Sequence, residues 1–444
     1  MKLNSTTLFN FFEALPDIRK NGFGHEWKVK YSIAEMLMCL VIGFINGNTS
    51  CFQAWHWCAV NMAYLTSLGL TLEHGLASYS THMRLLQNID PEIIMYEFIN
   101  WMNGIIVVYG VSLAIDGKGL RGGTQKNQGG KTPYVLNVVE VNSGLNIANM
   151  PIDLKTNEIT AIPEILSLIA VAGNMITIDA IGTQIDIMKL ILEEEGSFLL
   201  LVKKNHPEAY ANLVDYFDKL RESSKKENEA APSIILPDDY ETTDWTVEHN
   251  RDRMEYRRCS VVNIDDNPDL QSEILGAGSS LANADIEFKT IGMIESVRIP
   301  IEKDENGNDI TPSLKEFLAN GSRSCPHPKV GDTEDCAIQR VGVISNDELT
   351  AEKTLLIRRG HWTVEAKHHV LDVTFSEDYN PAKASKYICS LLRKIALNIV
   401  TLALLHGDIK DYNSTPVEQI HLSSDVELMK KYLFGHFPVI NANA

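Results

Sequence analysis

Between residues 106 and 202 the apolar side chains fall into short, nearly unbroken runs, and two of those runs end on an aspartate. Ile106-Val107-Val108 and Val111-Ser112-Leu113-Ala114-Ile115 lead into Asp116, and Met175-Ile176-Thr177-Ile178 leads into Asp179. Runs this short and this apolar are expected as strands with both faces covered. Tyr134-Val135-Leu136-Asn137-Val138-Val139-Glu140-Val141 and residues 145–154 read as two more strands joined by the turn Asn142-Ser143-Gly144, and Phe198-Leu199-Leu200-Leu201-Val202 as a fifth. Residues 158–172 carry Ile159, Ile162, Ile165, Leu166 and Ile169 at helical spacing behind Asn157 as a cap, and residues 184–195 form a second amphipathic helix stopped by Gly196. The resulting order, βββαβαβ, predicts an antiparallel meander followed by crossovers. The expected class is α/β, of the mixed α+β kind, with a five-stranded mixed sheet flanked by helices.

An aspartate at the carboxyl end of a buried strand stands where a sheet presents a side chain to a crevice. Taken singly, either one reads better as the start of a turn. Two at the same sheet edge repel until a cation neutralises them, and ligation by oxygen alone favours a hard ion, Mg²⁺ or Mn²⁺. A third acid is expected from a distant helix. Arg358-Arg359-Gly360-His361-Trp362-Thr363-Val364-Glu365 offers Glu365, which alone is an ordinary helix glutamate.

Around this core the chain divides into a helical module at residues 1–105, the first part of the core at 106–221, an acidic and partly β insertion at 222–350, and a helical return at 351–444. In the first module Ser32 precedes the apolar stretch that starts at Ile33, Ser80 is read as the cap of a helix carrying Met83, Leu85 and Leu86, and Pro91 opens the next. The insertion holds 27 acidic and 13 basic residues, so most of the formal charge of −18 sits there and the rest is nearly balanced. A basic track beside the acids is therefore compatible with the overall charge. Residues 302–337 read as a flexible loop. Seven cysteines without disulfide spacing imply a reducing, cytoplasmic setting, and Cys325, His327 and Cys336 fall short of a zinc ligand set. The apolar stretch from Ile33 to Ile45 is too short for a membrane span, so no membrane partner is expected.

Several segments in order resemble the H-repeat-associated (ISAs-type) insertion-sequence transposases of the Asp-Asp-Glu superfamily. They are Leu15-Pro16-Asp17-Ile18-Arg19; Ala114-Ile115-Asp116-Gly117-Lys118 with Leu120-Arg121; Asn157-Glu158-Ile159-Thr160-Ala161-Ile162-Pro163; and Thr177-Ile178-Asp179-Ala180 with Gln184. His249 with Arg251, Glu255 and Arg257 follow, then His361-Trp362 with Glu365, and Leu371-Asp372-Val373-Thr374-Phe375 with Glu377-Asp378. The chain departs from the family pattern at Gly119, Ala366, His369 and in the length of 302–337.

The resemblance implies an RNase H-like core and a catalytic, metal-binding triad of Asp116, Asp179 and Glu365. It further implies two divalent ions, Mg²⁺ or Mn²⁺, and phosphoryl transfers that cut insertion-sequence ends and join them to target DNA. The implied partners are double-stranded DNA bearing the terminal repeats, target DNA and a second copy of the chain, so that the protein works as a dimer at the nucleoid. Lys118, Arg121, Lys203, Lys204, Arg358, Arg359, His361 and Trp362, close in sequence to these acids or strand ends, are the expected DNA contacts, with ordinary surface charge and core packing as the competing roles. The helical module, with Arg84, is the candidate for end recognition. A silent DNA-binding remnant and a nuclease without strand transfer are the alternative functions.

Overall fold

The computed structural model describes the chain except for residues 1–6, 18, 20–28, 124–131, 153–157, 226–239, 251, 265–267, 320–337, 380–384, 437 and 444. The chain opens with helices α1 (Leu8–Glu13), α2 (Ile33–Ile45), α3 (Cys51–Val60), α4 (Met62–Leu68), α5 (Tyr79–Asn88) and α6 (Pro91–Asn103). Strands β1 (Ile106–Val107), β2 (Ser112–Gly119), β3 (Tyr134–Glu140) and β4 (Asn146–Ile152) follow, then α7 (Glu158–Leu166), β5 (Met175–Ile178), α8 (Ile185–Glu193), β6 (Ser197–Val202) and α9 (Pro207–Lys225). Next come β7 (Tyr240–Thr242), β8 (Thr246–Asn250), β9 (Arg253–Asn263), α10 (Pro268–Leu275), β10 (Thr290–Pro300), α11 (Leu314–Ala319), β11 (Gln339–Ser345) and α12 (Ala351–Gly360). The chain closes with α13 (Trp362–Val373), α14 (Lys386–Leu405), α15 (Thr415–Ser424), α16 (Val426–Phe434) and β12 (Ile440–Asn441). Two units divide these elements: Met1–Ile176, Glu194–Gly196 and Gly360–Ala444 form the first, and Thr177–Glu193 with Ser197–Arg359 the second.

In the first unit α2 is the central helix. Ser32 caps it by accepting from the Glu35 amide, and every residue of the helix but Glu35 is buried. Glu35 turns outward and accepts from the Thr71 and Leu72 amides, which fixes the loop beyond α4. Such all-round burial demands close neighbours. Gly43 supplies one, because a Cβ there would lie 2.5 Å from the Ala54 Cβ and 2.7 Å from its Cα on α3. Gly43→Ala therefore lowers stability by about 1–3 kcal/mol through overpacking, against the roughly 1 kcal/mol gain expected from helix propensity. Chemical denaturation of the two proteins measures the sign, and a stabilised variant would refute the close α2–α3 approach.

The meander forms as the alternation predicts: β2 pairs antiparallel with β3, and β3 with β4, while the first half of β5 lies beside β2 with the Met175 amide bonded to the Val111 carbonyl. The register sets Asp116 opposite Asn137, and Asn137 opposite Asn149. Three polar residues thus line up across otherwise apolar strands. Gly144 makes the β3–β4 turn with φ +67, and the buried Glu140 carboxylate accepts from the Asn142 and Ser143 amides, so the turn's orphan donors are satisfied. Helix α13 packs on this sheet through Val364, which joins Ala114 and Val139 in one apolar cluster. Helix α14 is long and apolar enough to cross a membrane, but 89% of that stretch is buried within the protein and it carries buried Arg393, Lys394 and Asn398, as a core helix does.

The second unit orders its strands β6-β11-β10-β9-β7, with β8 also on β9 and the end of β5 beside β6. β9 and β10 are antiparallel from Thr290 opposite Asn263 to Pro300 opposite Arg253. The chain is a mixed α/β protein whose strands outnumber the five read from its apolar runs. Besides the short β1 and β12, the additional ones, β7 to β11, lie in the acidic segment, where charged residues alternate with apolar ones: on β9 the buried Glu255 and Arg257 share the strand with Cys259 and Val261. Those charges neutralise each other, and a reading based on apolar continuity passes over them.

Three local expectations shift. Ser78, not Ser80, caps α5 by accepting from the Thr81 amide, so the helix starts at Tyr79. α7 ends at Leu166, short of residue 172; Ser167 bonds the Glu164 carbonyl and competes with the helical ladder. Residues 302–319 are not a bare loop: they hold a Lys303–Asp309 bridge and α11, whose Phe317 is buried. Asn157, Cys325, His327 and Cys336 lie outside the described residues.

Candidate active site

Strand β2 and helix α13 meet in matching steps. Alternate strand residues 114, 116 and 118 share one face, and helix residues 364, 368 and 372 recur every four positions; two strand residues rise about 6.6 Å and four helix residues about 6 Å. The contacts follow that match. Val364 packs on Ala114, His368 Nδ1 lies 3.4 Å from Asp116 Oδ2, and Asp372 Oδ1 accepts from Lys118 Nζ at 2.5 Å. Glu365 sits one residue around the helix from Val364 and is exposed. Asp116 keeps 24% of its side chain exposed beside a cleft of ≈ 580 Å³, whose lining includes Lys118, Arg121, Tyr134, Glu158 and His368.

The electrostatics behind this edge are unusual for a protein interior. Lys118 is 6% exposed and also faces Glu377 at 3.5 Å and Asp378 at 3.8 Å. Glu377 is buried, and burial alone would push its carboxyl up. Lys394, Lys118 and Arg393 outweigh that and hold it below the usual carboxylate range. Burial raises Asp372, with Lys118 opposing. Lys394 is pushed down to about 8 by burial, and its ammonium donates to Ser390 Oγ at 2.6 Å. Burial, with the charges of Lys394, Lys118 and His361, drives His368 down to about 3, so its imidazole is neutral.

Asp179 belongs to the second unit, where it follows β5, is exposed, and faces Lys203 Nζ at 3.7 Å. Among the described residues no group of three or more His, Cys, Asp or Glu side chains is gathered to hold a metal ion. The donor chemistry of the three named acids nevertheless suits a hard cation, since each is a carboxylate.

The basic residues expected at DNA are in contrasting situations. Arg121 is 82% exposed and leans on Asp378, Lys204 is exposed, and Lys203 is half-exposed beside Asp179. Arg359 is exposed and paired with Glu248, whose carboxylate also takes Arg257, and Arg257 in turn pairs with buried Glu255. Arg358 and Trp362 are half-buried. Lys118 and His361 are buried, and the Lys118 ammonium faces three carboxylates.

Sequence reasoning overlooked His368, Asn137 and Asn149, and quoted Asp372, Glu377 and Asp378 without a role. The signal was present as spacing: four residues along α13 from Val364 to His368 to Asp372, against two along β2. It becomes visible only once the helix is known to lie along the strand.

The pattern described as DDE_Tnp_1-associated matches residues 9–102, which contain α1 to α6. "H repeat-associated putative transposase YbfD" of Escherichia coli K12 is 30% identical over 203 residues, covering 45% of this chain and 76% of that protein. The chain belongs to the H repeat-associated transposase family. Its likeness to "Putative transposase YncI" of Escherichia coli O157:H7 runs over 401 residues at 26% identity, 89% of this chain and 87% of that one. Among solved structures, a piggyBac transposase synaptic complex with hairpin DNA aligns with 97% of this chain and 82% of its own, at 10% identity and a TM-score of 0.38. For this H repeat-associated transposase, Asp116, which lies within β2 and not at its end because the strand runs on to Gly119, and the acids of α13 fall in the stretch shared with YncI-type relatives, since so few residues remain outside that alignment.

Proposed function

We propose that the protein is an active transposase that cuts the ends of its insertion sequence and joins them to target DNA, with Asp116, Asp179 and Glu365 as its acidic triad. The observation that carries the reading is Asp116: a carboxylate within the buried strand β2, 24% exposed and followed by Gly117 and Lys118 of the cleft lining, in a chain of transposase lineage. These three residues would hold Mg²⁺ or Mn²⁺, which when bound supplies charge stabilisation at the scissile phosphate and lowers the pKa of bound water. The chain's own groups do the rest. Arg121 and Lys204, exposed and cationic, are suited to backbone phosphates, and Lys203 counters the Asp179 charge in the free protein. The helical module at 1–105 is assigned to end recognition, with the chain working as a dimer on DNA.

The test is a strand-cleavage assay on duplex DNA carrying the element's ends, with and without unlabelled target. Nicking at the end that needs Mg²⁺, vanishes with a chelator and is followed by joined product supports transposition. Cleavage that never yields joined product assigns a nuclease, and end binding without nicking assigns a silent remnant.

A further inference from the structure

Away from the cleft, within the first unit, we infer that Cys51 and Cys389 form a redox modification site, a dithiol that peroxide closes into a disulfide joining α3 to α14. The two residues stand 338 positions apart in the chain, yet their Sγ atoms lie 3.1 Å from one another. A disulfide bond is about 2.05 Å long, so closure asks each sulfur to move by only about half an ångström. Both side chains are buried. A buried cysteine is ordinarily a small, inert apolar group, but two in contact beside a cation are not.

The cation is Arg393, one turn after Cys389 on α14. It donates to the carbonyl oxygens of Thr49 at 2.8 Å, Cys389 at 3.1 Å and Phe375 at 3.3 Å, so the guanidinium is fixed between the segment that enters α3 and the helix that carries Cys389. Cys51 is the first residue of α3, behind the Ser50 cap, and the Ser385 hydroxyl lies 3.6 Å from Cys389 Sγ. These neighbours divide the roles of the two sulfurs. The hydrogen bond with Cys51, the Arg393 charge and the Ser385 hydroxyl hold the Cys389 thiol below its usual range, against burial and Glu377, whereas the same bond and burial push Cys51 up. Cys389 is therefore the attacking thiolate and Cys51 the resolving thiol. Phe52, next to Cys51, is half-exposed, so a molecule as small as hydrogen peroxide has little protein to pass.

In the first step the Cys389 thiolate attacks one peroxide oxygen and the O–O bond breaks. Cys389 becomes a sulfenic acid, and the departing hydroxide takes up the proton that the thiol had released. The Cys51 sulfur then attacks the Cys389 sulfur, the S–O bond breaks, and water leaves with the Cys51 proton. Two thiols and one peroxide thus give one disulfide and two waters, the sulfurs losing the two electrons that peroxide gains. The closed form ties α3, within the stretch matched by the family pattern, to the helix whose Lys394 and Arg393 hold the Glu377 charge.

The test exposes the full chain, reduced and then freed of reductant, to hydrogen peroxide, alkylates the remaining thiols and reads the proteolytic peptides by mass spectrometry. Expected is a peptide joining Cys51 to Cys389, two hydrogen masses below the sum of its parts, with a loss of two alkylatable thiols that dithiothreitol restores. Retention of both thiols, oxidation of either beyond the sulfenic acid with no joined peptide, or a different pairing in place of 51–389 overturns the proposal on the parent protein alone. In Cys51→Ser, dimedone is expected to trap Cys389 as its sulfenic acid; in Cys389→Ser, Cys51 is expected to react about tenfold more slowly or less. Equal dimedone labelling in the two variants overturns the division into attacking and resolving sulfurs.

Discussion

Asp116→Asn is expected to slow Mg²⁺-dependent cleavage of end-containing DNA by about 10³-fold or more, equivalent to roughly 4 kcal/mol of lost transition-state stabilisation. The substitution is nearly isosteric and removes only the charge. The side chain at 116 still faces His368, and Ala114 on the same strand face still packs on Val364, so β2 and α13 keep their match. Denaturation midpoints of the two proteins should accordingly agree within about 1 kcal/mol, the range of a substitution that leaves packing intact. Single-turnover kinetics at saturating DNA then isolates the chemical step from end binding, which the variant retains. Cleavage within tenfold of the parent, in a variant that is folded and binds DNA, would remove Asp116 from the reaction.

What the sequence disclosed and what it withheld have separate physical origins. Apolar continuity located β2, β3, β4, β5 and β6 because strands covered on both faces leave polar residues few places to stand, and the same economy made Asp116 conspicuous. The partners of Lys118 were hidden for the converse reason. A lysine two residues from a conspicuous aspartate looks solvated until α13 and the turn after it bring Asp372, Glu377 and Asp378 around it, from more than 250 positions away. Charge neutralised by distant partners has no local signature, which also hid β9 and β10, where Glu255 and Glu295 are buried among arginines. The proposed triad was named from residues and not from geometry: Asp116 and Glu365 fall in one unit and Asp179 in the other, a division that no pattern of spacing announces.

Lys118→Met is the substitution expected to cost most in stability, about 3–5 kcal/mol near neutral pH. The methionine fills the space of the lysine stem but leaves Asp372, Glu377 and Asp378 without the ammonium that faces all three. Lys394 continues to hold Glu377, so the uncompensated charge falls chiefly on Asp372, which burial already pushes upward. The sign with pH follows from these directions. Glu377 has a folded-state pKa below its unfolded value, so its contribution is present above about pH 4.3 and is lost as pH falls through the depressed value. Asp372, raised in the fold, works oppositely: its penalty is present at neutral pH, grows when Lys118 is gone, and is relieved by protonation on acidification. The gap between parent and Lys118→Met should therefore narrow from pH 7 toward pH 5, and Lys118→Met with Asp372→Asn should recover a large part of the loss, because the two residues form a 2.5 Å pair and their effects are not additive. Urea denaturation of the four proteins at both pH values measures this coupling. If the double variant is as unstable as the two single losses summed, the lysine is stabilising the fold through its stem alone and not as the cation of a buried cluster behind the Asp116 edge.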